Sequence, residues 1–274
     1  MNSFNKTGRD GLSGVRVRTV RLTESALMIA AACVLSLIKL VELPAGGSVT
    51  LASMLPLVIV AYRHGLPWGM LCGTVFGTVQ FILGAGVLSY VTSWTAALAV
   101  IVLDYVAAFA ASGIAGLFRR LPQSVGIPAG CAAVSVIRYV CHVISGATVW
   151  AGLSIPTESA LLYSLVYNAT YMIPETLILC AVGYWLASAV DLSGTSPVRR
   201  ERTSGRGWLR AAALAAVCAA GIYDVAAVFG VLQGEDGTFD VTGIANAPWG
   251  TVCAVTAAAV AVGAVMVLLS RKRK

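Results

Sequence analysis

The feature that most constrains this chain is the recurrence of apolar runs, most of them close to the roughly 20 residues that cover a hydrocarbon core about 30 Å thick. Read between polar breaks, the runs fall near 22–41, 51–62, 66–84, 95–118, 126–150, 160–190, 208–232 and 247–270. They predict eight helices. The second is short for a full span at about 1.5 Å per residue, so a broken, tilted or re-entrant segment is expected there. Hydrophobic residues make up 58% of the 274 and charged residues only 11%, at a mean hydropathy of +0.84, which excludes a soluble globule. The fold class is therefore all-α, a polytopic membrane helical bundle.

The net charge of +7 is distributed as topology, not as a nucleic-acid footprint. With the N-terminus in the cytoplasm, Arg16, Arg18, Arg21, Arg63, Arg119, Arg120, Arg199, Arg200, Arg202, Arg206 and residues 271–274 all fall on the inner side. Glu42, Glu158, Glu235, Asp236 and Asp240 fall in outer loops, and of the basic residues Lys39 and Arg138 lie well inside spans. Basic residues mark cytoplasmic loops, so both termini are expected in the cytoplasm of a cell-membrane protein. Residues 191–207, rich in Ser, Gly, Pro and Arg, read as a cytoplasmic linker. They divide a six-helix core (22–190), preceded by a polar N-terminal segment (1–21), from a two-helix C-terminal extension with a basic tail (208–274). No A-x-A cleavage site follows the first polar stretch, so a removable signal peptide is not expected. The seven cysteines all lie in apolar stretches without metal spacing and read as small core residues; no metal site is expected.

Ionisable side chains within a span are costly, so each requires a partner or a polar site. The ones to explain are Asp104, Arg138, His142, Glu175 and Asp224. Counting from the outer helix ends at about 1.5 Å per residue places Asp104, His142 and Asn168 at a common depth of roughly 12 to 14 Å. Tyr105, Trp150, Tyr163 and Tyr167 lie at or above that level. A carboxylate, an imidazole and an amide below aromatic rings suit a flat, cationic, heteroaromatic ligand in an outward-facing pocket. Arg138 and Glu175 lie deeper and are expected to form a structural ion pair, with Pro174 kinking the helix beside it. Asp224 receives no role. The chain lacks GxxxxGK[ST], HExxH and GxSxG, so no catalytic residues and no cofactor are assigned, and any ATP use must reside in partners.

The segments GGSVTLASMLPL (46–57), QFILG (80–84), LDY (103–105), RYVCHVISGATVWAG (138–152) and YSLVYNATYMIPE (163–175) resemble the thiamine-binding S component of energy-coupling factor transporters. The resemblance covers about residues 22–190. It implies a six-helix fold whose deep site, closed by the loop before the second helix, holds thiamine. Asp104 would contact the cationic vitamin, with Tyr105, His142, Gly146, Trp150, Tyr163 and Asn168 supplying polar contacts, clearance and stacking. It also implies a membrane scaffold subunit and two ATPase subunits as partners, docked through Ala26 and Ala30, whose spacing permits close helix approach. Where some family members carry a tryptophan in the first outer loop, this chain has Gly46 and Gly47, so Tyr90 or Trp94 is a candidate substitute. A thiamine precursor or another vitamin stands as an alternative ligand. A membrane enzyme using Asp104 and His142, and a structural scaffold, stand as alternatives of other classes.

Overall fold

The first helix, α1 (Phe4–Leu37), starts well before the apolar run, so the basic N-terminal segment forms its leading turns. The computed structural model describes residues 4–43, 47–151, 160–194, 197–200, 207–232 and 240–270. The readings that concern Gly46, Glu158, Arg202, Arg206, Glu235, Asp236 and residues 271–274 fall outside them. After α1 come a two-stranded antiparallel hairpin, β1 (Lys39–Glu42) and β2 (Ser48–Thr50), then α2 (Leu55–His64) and α3 (Leu66–Leu83). A continuous helical span, α4 (Trp94–Arg120), leads to α5 (Gln123–Thr148) and α6 (Ala160–Ala189). The extension is α7 (Gly207–Leu232) and α8 (Trp249–Ser270).

Seven of these helices are long and apolar enough to cross a membrane. The exception is α2, as its short apolar run predicts: its 10 residues rise only about 15 Å. Leu55 through Ala61 are all buried, and the chain entering it, from Val49 to Met54, is buried except at the exposed Leu51. Irregular backbone is tolerated at membrane depth when protein surrounds it, so this short helix and the buried chain before it can stand in the place of a full span. The hairpin places strand structure between α1 and α2. It also takes Lys39 out of the predicted span, because α1 ends at Leu37 and Lys39 pairs with Glu42 at the surface.

A single residue, Gly65, joins α2 to α3, and its φ of +91° is open only to glycine at ordinary cost. Helices α1 and α3 run parallel. The Trp68 indole donates to Ser25 (2.8 Å) near one end, and the Gln80 amide donates to Ser36 (2.7 Å) near the other. Helix α3 then meets α4 through Gly69, Gly73 and Gly77, a tandem small-xxx-small stripe. A methyl on Gly73 would stand 2.1 Å from the Phe109 carbonyl oxygen, and one on Gly77 would stand 2.4 Å from that of Tyr105. Backbone therefore lies against backbone, which fixes the segment of α4 that carries Asp104.

One end of the bundle is basic and cross-tied. Glu24 of α1 meets Arg63 and His64 at the end of α2, the latter at 3.1 Å. Arg63 donates to the Leu192 and Gly194 carbonyls, and Gln123 donates to the Ala187 and Val190 carbonyls (both 2.6 Å). Part of the predicted linker is ordered by this network: β3 (Val190–Asp191) pairs with β4 (Val198–Arg199), and Leu192 is buried.

Candidate functional site

Asp104 lies where α4 winds as a π-helix (Ile101–Ala107), a geometry that often marks functional positions in helices. Its carboxylate faces α5. His142 Nδ1 lies 3.0 Å from Oδ1, and the Ser145 hydroxyl donates to Oδ2 at 2.6 Å. His142 and Ser145 are three residues apart and share one face of α5, with Gly146 buried next to Ser145. The predicted pairing in depth of Asp104 with His142 is thus a direct contact. Ser145 was missed; its i+3 spacing from His142 was the available signal.

Asn168 belongs to the adjoining wall. Its amide donates to the Ser164 carbonyl (2.8 Å), its oxygen accepts from Tyr171 (2.7 Å), and the Ser164 hydroxyl donates across to the Val143 carbonyl of α5 (3.0 Å). Above it the rings of Tyr163 and Tyr167 stack at 6.2 Å and 17°, and Tyr171 meets Tyr167 edge-on at 5.8 Å. Trp150, just beyond α5, packs on this tyrosine cluster together with Leu43 and Val49 of the hairpin region. Tyr105 is different. Its ring packs edge-on against Phe81 of α3 at 5.4 Å, so it supports the α3–α4 contact and lies away from the α5 wall.

The hairpin covers the tyrosine cluster. Gly47 donates its backbone N–H to the Tyr167 hydroxyl (3.0 Å), and a methyl there would stand 2.7 Å from the Tyr171 ring, so only glycine allows this approach. Tyr90 and Trp94 are 70% and 79% exposed, so neither takes the place of a lid residue here. Trp94 suits an interfacial anchor instead.

Deeper, Arg138 and Glu175 form the expected ion pair at 3.7 Å, with both side chains less than 10% exposed. The Thr50 hydroxyl of β2 donates to the other Glu175 oxygen at 2.8 Å. These two charges cancel, whereas Asp104 is met by an imidazole and a hydroxyl, which can satisfy its oxygens without neutralising it. The Ser145 proton points to Asp104 and not to His142, an arrangement unlike that of an activated serine nucleophile. Among the described residues no group of three or more His, Cys, Asp or Glu is placed to hold a metal.

The sequence model of the family described as "Thiamine transporter protein" matches residues 22–192. The chain belongs to that family. The thiamine transporter ThiT of Bacillus subtilis is 35% identical over 176 residues, 60% of this chain and 87% of that protein. ThiT from Listeria monocytogenes, at 22% identity, shares the fold with a TM-score of 0.53 over 62% of this chain and 94% of its own. The thiamine transporter family is one of transporters, not enzymes, as the lack of catalytic motifs leads one to expect. All seven predicted ligand-binding residues lie inside the matched region, and α7 and α8 lie outside it. Ala26 and Ala30, the predicted docking pair, are exposed on α1, while Met28, Ile29, Ala32 and Cys33 of the same helix pack on the core.

Proposed function

We propose that this protein is the thiamine-binding S component of an energy-coupling factor importer in the cell membrane. It captures extracellular thiamine and delivers it to the cytoplasm when partner subunits reorient it. The observation that carries the reading is the charge arrangement: Arg138 pairs with Glu175, while the carboxylate of Asp104 has no arginine or lysine partner among the described residues and meets an imidazole and a hydroxyl. In this reading Asp104 faces the charged ring of thiamine, and His142 and Asn168 contact its polar atoms. Trp150 and Tyr163 stack on its rings, Gly146 gives clearance, and Tyr105 holds the helix that carries Asp104. The basic end, with both termini, faces the cytoplasm. A transmembrane scaffold bearing two ATPases docks on α1 through Ala26 and Ala30. Membership in the thiamine transporter family and the name of the Bacillus subtilis relative support the ligand.

Intrinsic tryptophan fluorescence of the purified chain, titrated with thiamine, its pyrimidine precursor and riboflavin, tests this. Saturable quenching by thiamine alone is expected, and Asp104→Asn should weaken it more than tenfold. Quenching by riboflavin and not thiamine would transfer the site to another vitamin. An unchanged affinity in the variant would remove Asp104 from the binding role.

A further inference from the structure

The C-terminal extension meets the core along a groove that the thiamine site does not use. Its walls come from three helices, Tyr184 and Trp185 of α6, Ala213 and Val217 of α7, and Gly263 of α8, and they enclose about 430 Å³. All but one of the lining residues are apolar or aromatic. The exception is Arg210, at the end of the groove near the start of α7. The Arg210 Nε–H donates to the Ser270 hydroxyl at 3.0 Å, and Ser270 is buried at the end of α8, so the guanidinium is aimed and not free to swing. Among the described residues no carboxylate forms an ion pair with Arg210, and the first turn of α7 holds no acidic residue. A half-buried cation thus coincides with the positive end of a helix, at the mouth of a hydrocarbon-lined groove. Such a charge needs an anion, and such a groove needs a chain of methylenes.

We propose that this groove binds an anionic phospholipid, with its phosphate on the Arg210 guanidinium and one acyl chain along the seam of α6, α7 and α8. Charge complementarity favours this occupant. Nine of the 19 basic residues lie in stretches 199–210 and 271–274, where Glu201 is the one acid. Basic clusters beside membrane helices draw anionic headgroups. Trp185 and Trp208, 40% and 64% exposed, lie at the same end and suit the headgroup level, where indoles anchor. The family match ends at residue 192, so Arg210 and the α7 and α8 walls of the groove lie outside it.

The test uses the full chain in a neutral detergent, titrated separately with dioleoyl phosphatidylglycerol and dioleoyl phosphatidylcholine, with bound lipid read by native mass spectrometry. The wild type should retain phosphatidylglycerol in preference. Arg210→Gln should weaken that adduct at least about fivefold and leave phosphatidylcholine unchanged. Ala264→Phe, which fills the groove from its exposed rim, should abolish it. Both variants should still quench with thiamine, which shows that they are folded. Equal retention of the two lipids by the wild type would overturn the proposal. So would a variant ending at Ser270 that loses the preference while Arg210→Gln keeps it, or displacement of the lipid by millimolar inorganic phosphate.

Discussion

Breaking the deep ion pair on one side only should cost far more than removing it whole. Arg138 and Glu175 stand 3.7 Å apart. At an effective permittivity of about 20 their attraction is about 4.5 kcal/mol. Either partner left alone remains buried: Glu175→Gln strands a guanidinium that cannot give up its charge, and Arg138→Met strands a carboxylate held by Thr50. Each single change should therefore destabilise by about 3 kcal/mol or more, which for a chain of this size lowers the melting point by roughly 6 to 12 °C. The double variant is neutral, and the amide oxygen introduced by Glu175→Gln can still accept from Thr50. It should recover most of the loss, to about 1 kcal/mol, which against about 6 kcal/mol for the two singles summed is a coupling energy of about 5 kcal/mol. Melting curves of the four proteins in one detergent measure it. Since Thr50 lies in the hairpin, thiamine dissociation should also quicken in the single variants. Additive losses in the double, or singles that melt with the wild type, would refute the reasoning.

Other outcomes follow from close contacts. Gly73→Ala places a methyl against the Phe109 carbonyl, which neither backbone can avoid, and should cost about 1 to 3 kcal/mol, seen as a lower melting temperature. Gly47→Ala should lift the hairpin from Tyr171 and speed thiamine release in stopped-flow fluorescence by about tenfold, with little change in association, as is usual when contacts are lost in a bound state. Ala30→Leu, on the exposed face of α1, should leave thiamine affinity intact and abolish uptake in cells carrying the partner subunits; uptake at the wild-type rate would exclude that face from docking.

The spans and the common depth of Asp104 and His142 were legible because hydropathy and rise per residue are properties of sequence alone. The Arg138–Glu175 pair was legible for a related reason, since two buried opposite charges at reachable depths have few other partners. Thr50 and Gly47 were not. Both contacts join residues more than 100 positions apart through a hairpin whose short sequence carries no helical period. The Glu24–Arg63–His64 cluster escaped because Glu24, near the start of the first run, was not among the charges considered, although it packs against the end of α2. The π-helix at Asp104 escaped too: nothing in IVLDYVA signals an i→i+5 pattern, which arises from how α4 is held against the glycines of α3.

The parallel course of α1 and α3 bears on how the protein is made. Two successive stretches able to insert on their own enter the bilayer in the same direction, and what returns the chain between them is only the hairpin and ten residues of α2. No hydrophobic stretch of that length holds a transmembrane position by itself. During synthesis the hairpin that will cover the tyrosine cluster must therefore wait outside its final place until α4, α5 and α6 have gathered around it. The hairpin is made early and seated late.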